Sequence, residues 1–76
     1  MIKIEPSLQT ILFNRNMWTL REAKKWLSEH GKGSIKPVHK TKNEYRFRQA
    51  IPIKGANYYS KEISPGILFV FQYYDE

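Results

Sequence analysis

Residues 45–49 read YRFRQ, in which two arginines alternate with two aromatic residues. Alternate side chains of a strand lie on opposite faces, so Tyr45 and Phe47 would share one face and Arg46 and Arg48 the other. Aromatic rings stack on bases and arginines hold phosphates, which is the chemistry of a nucleic-acid surface. The same pattern also fits core aromatics and solvated arginines. We expect the aromatic side chains to face inward and the arginines outward.

Positive charge is concentrated around this segment. The chain of 76 residues has a formal net charge of +6. Residues 32–54 contain seven basic residues and one acidic residue, a difference that equals the whole net charge. The basic residues are Lys32, Lys36, Lys40, Lys42, Arg46, Arg48 and Lys54, and the acid is Glu44. Such a field favours an anionic partner: nucleic acid, an acidic protein patch or an anionic membrane surface.

Few residues offer catalytic chemistry. There is no cysteine, and the two histidines, His30 and His39, have no carboxylate spaced for joint metal binding. His30 ends a predicted helix, where a capping role is expected, and His39 should be exposed among lysines. The GKGS stretch at 31–34 lacks the phosphate-loop spacing and follows a helix instead of a strand. We predict a protein without catalytic residues, metal site or cofactor.

Binding is therefore the expected activity. Phe47, Phe69 and Phe71 are assigned to the core, and exposure is expected among Tyr58, Tyr59, Tyr73 and Tyr74. Lys36 and Lys40, on a neighbouring strand, should join the two arginines in a positive stripe on the outer face of the sheet. The candidate nucleic-acid-binding residues are Lys36, Lys40, Lys42, Arg46, Arg48, Tyr58 and Tyr59.

The helix and strands that position these residues are predicted from the spacing of apolar residues and from the positions of capping residues, glycines and prolines. Thr19 and Glu22 form a T-x-x-E capping box, and apolar residues recur at helical spacing until Gly31. Pro37 indicates an edge strand, residues 51–66 indicate a loop-rich connection, and the apolar ILFVFQYY indicates a central strand. The predicted helix spans about 19–30, and the strands about 8–14, 35–40, 44–51 and 67–74, with Ile2 and Ile4 in a separate extended stub. The fold class is α+β, with one helix packed on a mainly antiparallel sheet in the order β-α-β-β-β.

The length and composition predict a single domain over residues 1–76. Without cysteines the chain has no disulfides, which suits a reducing compartment. No window approaches the roughly 20 apolar residues of a membrane span, and the N-terminus lacks a signal-peptide pattern.

Three stretches also resemble a known family. WTLREAKKWLSEHG, HKTKNEYRFRQAIP and YYSKEISPGILFVF are together similar to a small domain of largely unknown function in tailed-phage and prophage head-region proteins, sometimes beside a prohead protease domain, and in some large DNA viruses. The likeness runs from about Ile11 to Phe71. It implies the order of elements and a viral or mobile-element origin, and it supplies no catalytic residues. The segment before the arginine strand is often acidic in the phage relatives but is VHKTKNE here. If the basic patch is not a family feature, nucleic-acid binding would be particular to this chain or absent.

Three functions follow as hypotheses. The leading one is a non-catalytic viral accessory module that binds nucleic acid through the basic hairpin, in the host-cell cytoplasm or the virion. The second is a virion structural or assembly protein that docks on a capsid protein, and the third is an inhibitor of a host defence protein. The sequence favours neither DNA nor RNA and leaves the oligomeric state open, although an edge strand at 35–40 could pair between chains.

Overall fold

In a computed structural model that describes residues 6–74, a helix packs on one face of an antiparallel sheet. The strands are β1 (Ser7–Asn14), β2 (His39–Lys40), β3 (Glu44–Arg48), β4 (Asn57–Ser64) and β5 (Ile67–Tyr73), and the helix is α1 (Leu20–Glu29). The sheet order is β2-β3-β1-β5-β4, and all four strand pairings are antiparallel. The predicted α+β class is confirmed, and β5 lies inside the sheet, between β1 and β4. The described residues contain one strand more than the predicted order β-α-β-β-β.

The helix starts and stops where its sequence indicates. The Thr19 hydroxyl accepts a hydrogen bond from the Glu22 amide at 3.1 Å, and the Glu22 carboxylate accepts one from the Thr19 amide at 2.9 Å. This reciprocal pair is the predicted capping box. At the other end His30 is the C-cap, with its ring Nδ1 2.8 Å from the Trp26 carbonyl oxygen. Gly31 follows with φ +65°, the left-handed conformation that ends many helices.

The core lies between α1 and the inner face of the sheet. Ile11, Phe13, Phe47 and Ile67 are buried on the strands, and Ala23 and Leu27 are buried on α1. The Phe13 ring makes edge-to-face contacts with Trp18, Trp26 and Phe47, at centroid distances of 5.3, 5.8 and 5.6 Å. Tyr45 packs against this cluster, so the aromatic residues of YRFRQ face inward as predicted.

Two strand predictions are wrong. The loop-rich connection predicted over residues 51–66 contains a strand, β4, at Asn57–Ser64. The exposure of β4 explains why its sequence does not indicate a strand. Seven of its eight residues are exposed, so no alternation of apolar and polar residues marks them. The strand predicted at 35–40 is reduced to β2. Since Pro37 has no amide proton to donate, only a single backbone bond, from Ile35 to the Arg48 carbonyl at 2.9 Å, continues the pairing beyond it.

Smaller differences lie at the ends of the sheet. β2 is an edge strand, as Pro37 predicts. β3 stops at Arg48 instead of 51, because the Gln49 and Ala50 amides both bond the Gln9 carbonyl, at 2.7 and 3.2 Å, beside an irregularity in β1. The predicted stub at Ile2 and Ile4 lies outside the described residues. No helix within residues 6–74 is long and apolar enough to cross a membrane.

Candidate functional site

The strand register places both arginines of YRFRQ on the sheet face opposite α1. Arg48 is paired with Thr10 of β1, and Arg46 lies between Leu12 of β1 and His39 of β2. Residues directly across a sheet share a face, so all five side chains project to the outer side. Arg46 is exposed and Arg48 is half-buried.

These residues form a concavity that we call the basic cleft, with a volume of about 250 Å³. Its lining residues are Thr10, Lys36, Pro37, His39, Arg46 and Arg48. The lining therefore holds three permanent cations and a histidine, and no carboxylate of residues 6–74 belongs to it. Like charges gathered in a concave surface focus the field on a bound anion.

The segment 32–38 brings Lys36 to the cleft although it is not a strand. The Ile35 amide bonds the Arg48 carbonyl, and the Gln49 side-chain amide donates to the Gly33 carbonyl. Both bonds tie the segment to β3 and its extension. Lys36 thus faces Arg46 and Arg48 across the cleft because the backbone on either side of it is held, while its own side chain stays exposed.

Thr10 lies at the bottom of the cleft with only 3% of its surface exposed. Its hydroxyl donates to the Gln9 side-chain carbonyl, which is itself buried. The Gln9 amide nitrogen in turn donates to the Ala50 carbonyl at 3.3 Å. This chain of bonds satisfies the polar groups beneath the cationic side chains, which a stable buried polar network requires.

The predicted positive stripe is wrong for Lys40. Lys40 pairs with Tyr45, whose side chain faces the core, so Lys40 belongs to the helix side of the sheet edge. His39 occupies the place expected for Lys40. Lys36 precedes β2 and lines the cleft from a segment that is not a strand, whereas Lys40, on β2, does not line it. Lys42 lies in the turn of residues 41–43 and does not line the cleft.

The two candidate tyrosines are also separated from the arginines. Tyr58 lies on β4, the far edge strand, where it pairs with Gln72 of β5. β4 is three strand spacings, or roughly 14 Å, from β3. Tyr59 lies on the other face of β4, stacked on Phe71 at a centroid distance of 5.2 Å. They are 48% and 42% exposed, as expected, while Tyr73 and Tyr74 are half-buried. Phe71 is only half-buried against Tyr59 and is not a member of the buried core, contrary to its assignment there.

Sequence reasoning missed Thr10, Pro37 and His39 as cleft residues. Whether His39 or Lys40 shares a face with Arg46 depends on the β2–β3 register. The turn between Thr41 and Glu44 sets that register. Thr10 could be found only from the β1–β3 pairing, which joins residues distant in the chain. Within residues 6–74 no group of three or more His, Asp or Glu side chains is placed to hold a metal ion.

Comparison with known protein families, curated proteins and solved structures finds no match. The functional argument therefore rests on the geometry and charge of the basic cleft.

Proposed function

We propose that the protein is a non-catalytic accessory module of a virus or mobile element that binds nucleic acid through the basic cleft. The observation that carries this proposal is the convergence of Lys36, Arg46 and Arg48 on one concave surface. Arg46 and Arg48 come from a strand and Lys36 from a segment tied to it, so the backbone positions that carry the three cations are fixed relative to one another.

The chemistry of the side chains suits a phosphodiester backbone. Each arginine offers a planar fork that can bind two phosphate oxygens at once, and Lys36 adds a point charge. The strand repeat separates Arg46 and Arg48 by roughly 6–7 Å along one face, close to the spacing of successive phosphates in a nucleic-acid strand. Contacts of this kind give affinity without sequence preference.

The test is fluorescence anisotropy with labelled single- and double-stranded DNA and RNA at low and moderate salt. The decisive variant is Arg46→Glu/Arg48→Glu, and the matched control is Lys40→Glu/Lys42→Glu. Both variants lower the net charge by the same amount, but the control residues lie outside the cleft. We expect the arginine variant to weaken binding by about tenfold or more and the control to retain most of it. Equal losses in the two variants would show that the overall charge, not the cleft, binds nucleic acid.

A second candidate is a virion structural or assembly protein that docks on a larger viral protein. It is favoured by Leu12, Leu68 and Val70, which share the outer face with the arginines and are only half-buried. An apolar strip beside cations suits a protein partner with an acidic and apolar surface. Salt distinguishes the two candidates, because phosphate binding falls steeply as salt rises and a largely apolar interface does not. Either function places the protein in the host-cell cytoplasm or the virion.

A further inference from the structure

A second concavity lies on the helix side of the sheet, between the C-terminal half of α1 and the segment 32–38. We call it the lysine groove, and its volume is about 460 Å³. It shares Lys36 and Pro37 with the basic cleft but none of the residues on the outer face of the sheet. Its volume falls in the range of ligand-binding clefts, about 300–1,000 Å³.

The floor of the groove is apolar. Leu27 of α1 and Phe47 of β3 reach it from the core, where they are 4% and 2% exposed. Val38 is half-buried beside them and packs against the core cluster. Leu27 and Phe47 close the groove from below, and the apolar surface still in contact with water belongs to half-buried Val38 and exposed Pro37. Covering that surface with a bulky apolar side chain contributes about 25 cal/mol for each Å² removed from water.

The rim of the groove is cationic. Lys24 projects from α1, and Lys32 and Lys36 from the segment that follows the helix; all three are exposed. No carboxylate of residues 6–74 lines the groove. A ligand that fills the apolar floor therefore meets positive charge on both sides.

The outer wall of the groove is held in place without a ligand. The Lys32 amide bonds the Leu27 carbonyl at 2.8 Å, and the Ile35 amide bonds the Arg48 carbonyl at 2.9 Å. The Gln49 side chain also holds the Gly33 carbonyl. These bonds fix the backbone that carries Lys32 and Lys36, so binding does not require the wall to be ordered first.

We propose that the lysine groove binds a peptide segment of a partner protein in which acidic residues flank a bulky apolar side chain. The apolar side chain contacts Pro37 and Val38 above the buried Leu27 and Phe47, and the acidic side chains pair with Lys24, Lys32 and Lys36. A nucleic-acid backbone would use the lysines but leave the apolar surface of Pro37 and Val38 in contact with water. The complementarity of both floor and rim therefore favours an acidic, amphipathic peptide. The proposal does not depend on nucleic-acid binding at the basic cleft.

The test uses a labelled synthetic peptide in which glutamates flank leucines, followed by fluorescence anisotropy. Two control peptides accompany it, one with every glutamate replaced by glutamine and one of glutamates alone. The decisive protein variant is Lys24→Glu/Lys32→Glu. The matched control is Lys25→Glu/Lys61→Glu, which has the same net charge and alters exposed lysines outside the groove. Chemical-shift mapping by NMR then locates the peptide on the wild-type protein.

We expect saturable binding of the acidic leucine peptide, weaker binding of both control peptides, and NMR shifts at Leu27, Val38 and Phe47. The groove variant should weaken binding by about tenfold, and the lysine control should bind as the wild type does. Arg46→Glu/Arg48→Glu should also keep peptide binding, which separates this result from the test of the basic cleft. No saturable binding, equal losses in the two lysine variants, or shifts confined to Thr10, Arg46 and Arg48 would overturn the proposal. Concentration-dependent shifts at the groove without peptide would overturn it in favour of a second copy of this chain.

Discussion

The indole Nε1 of Trp18 donates a hydrogen bond to the Pro65 carbonyl oxygen at 3.0 Å, directly beside Gly66. Gly66 has φ +79°, and a Cβ added to it would lie 2.9 Å from both Cδ1 and Nε1 of the same indole. Its carbonyl oxygen accepts a bond from the Asn14 amide at 2.8 Å. The turn between β4 and β5 is therefore joined to the end of β1 and to the residue before the helix cap.

Substituting Gly66→Ala should destabilise the protein by about 2–5 kcal/mol. The left-handed backbone costs about 1–2 kcal/mol for a residue with a Cβ, and the contact with Trp18 adds an overpacking cost of about 1–3 kcal/mol. Urea unfolding followed by tryptophan fluorescence measures the change. Gly33→Ala is the matched control, because a Cβ there has no neighbour within 4 Å and Gly33 does not have positive φ. A loss as large in the control would show that this contact does not explain the effect.

The capping box should make stability depend on pH through Glu22. Hydrogen bonds from the backbone and side chain of Thr19 lower the pKa of the Glu22 carboxyl below its ordinary value. A carboxyl whose pKa is lowered in the folded state adds stability that is complete above its ordinary pKa and is lost as pH falls through the lower folded value. The stability difference between the wild type and Glu22→Gln should therefore shrink as the solution is acidified through that range.

Urea unfolding at a series of pH values measures this difference. Ser60→Ala, an exposed substitution on β4 that changes no titratable group, is the control, and its stability difference from the wild type should not depend on pH. A difference between the wild type and Glu22→Gln that stays constant through the acid range would contradict a cap dependent on the carboxylate.

The elements that the sequence predicts are those with a local signal. The helix carries its own boundaries in Thr19, Glu22 and Gly31, which lie within one turn of its ends. β5 is apolar because it lies between two strands, so its burial is visible in its composition. β4 is an edge strand, and almost every one of its residues is exposed. Its sequence therefore shows no alternation of apolar and polar residues.

The cleft was predictable only in part, for a related reason. The alternation in YRFRQ is local, so the outward orientation of Arg46 and Arg48 follows from the strand itself. The partners of these arginines depend on long-range pairing. Thr10 reaches the cleft through the β1–β3 register, and His39 replaces Lys40 because of the turn that sets the β2–β3 register. Neither register has a signature in the residues it joins.

Gln72 should be one of the most sensitive polar residues. It is 2% exposed, its side-chain oxygen accepts from the Ile53 amide at 2.9 Å, and its nitrogen donates to the Ile51 carbonyl at 3.1 Å. Gln72→Ala removes the hydrogen-bond partners of the Ile53 amide and the Ile51 carbonyl, in the loop that leads to β4. We expect the free energy of unfolding to fall by about 2–3 kcal/mol. Faster hydrogen exchange at the Ile53 amide should accompany it. Ser60→Ala, at an exposed position of β4, is the control and should stay within about 0.5 kcal/mol of the wild type. Unchanged exchange at Ile53 would contradict a role for Gln72 in holding the loop.

The salt dependence of nucleic-acid binding should report how many phosphate contacts the arginines make. Each phosphate contact contributes about 0.7–0.9 to the slope of log K against log salt concentration, with the lower value for single strands. Arg46→Gln and Arg48→Gln should each reduce the slope by about that amount, because each removes one cation from the cleft. Arg48→Lys should keep the slope and lose affinity, since lysine retains the charge without the planar fork. Lys40→Gln, on the helix side of β2, should leave the slope unchanged. Anisotropy titrations over a salt series measure all four, and a slope reduced as much by Lys40→Gln as by the arginine substitutions would place the phosphate contacts outside the basic cleft.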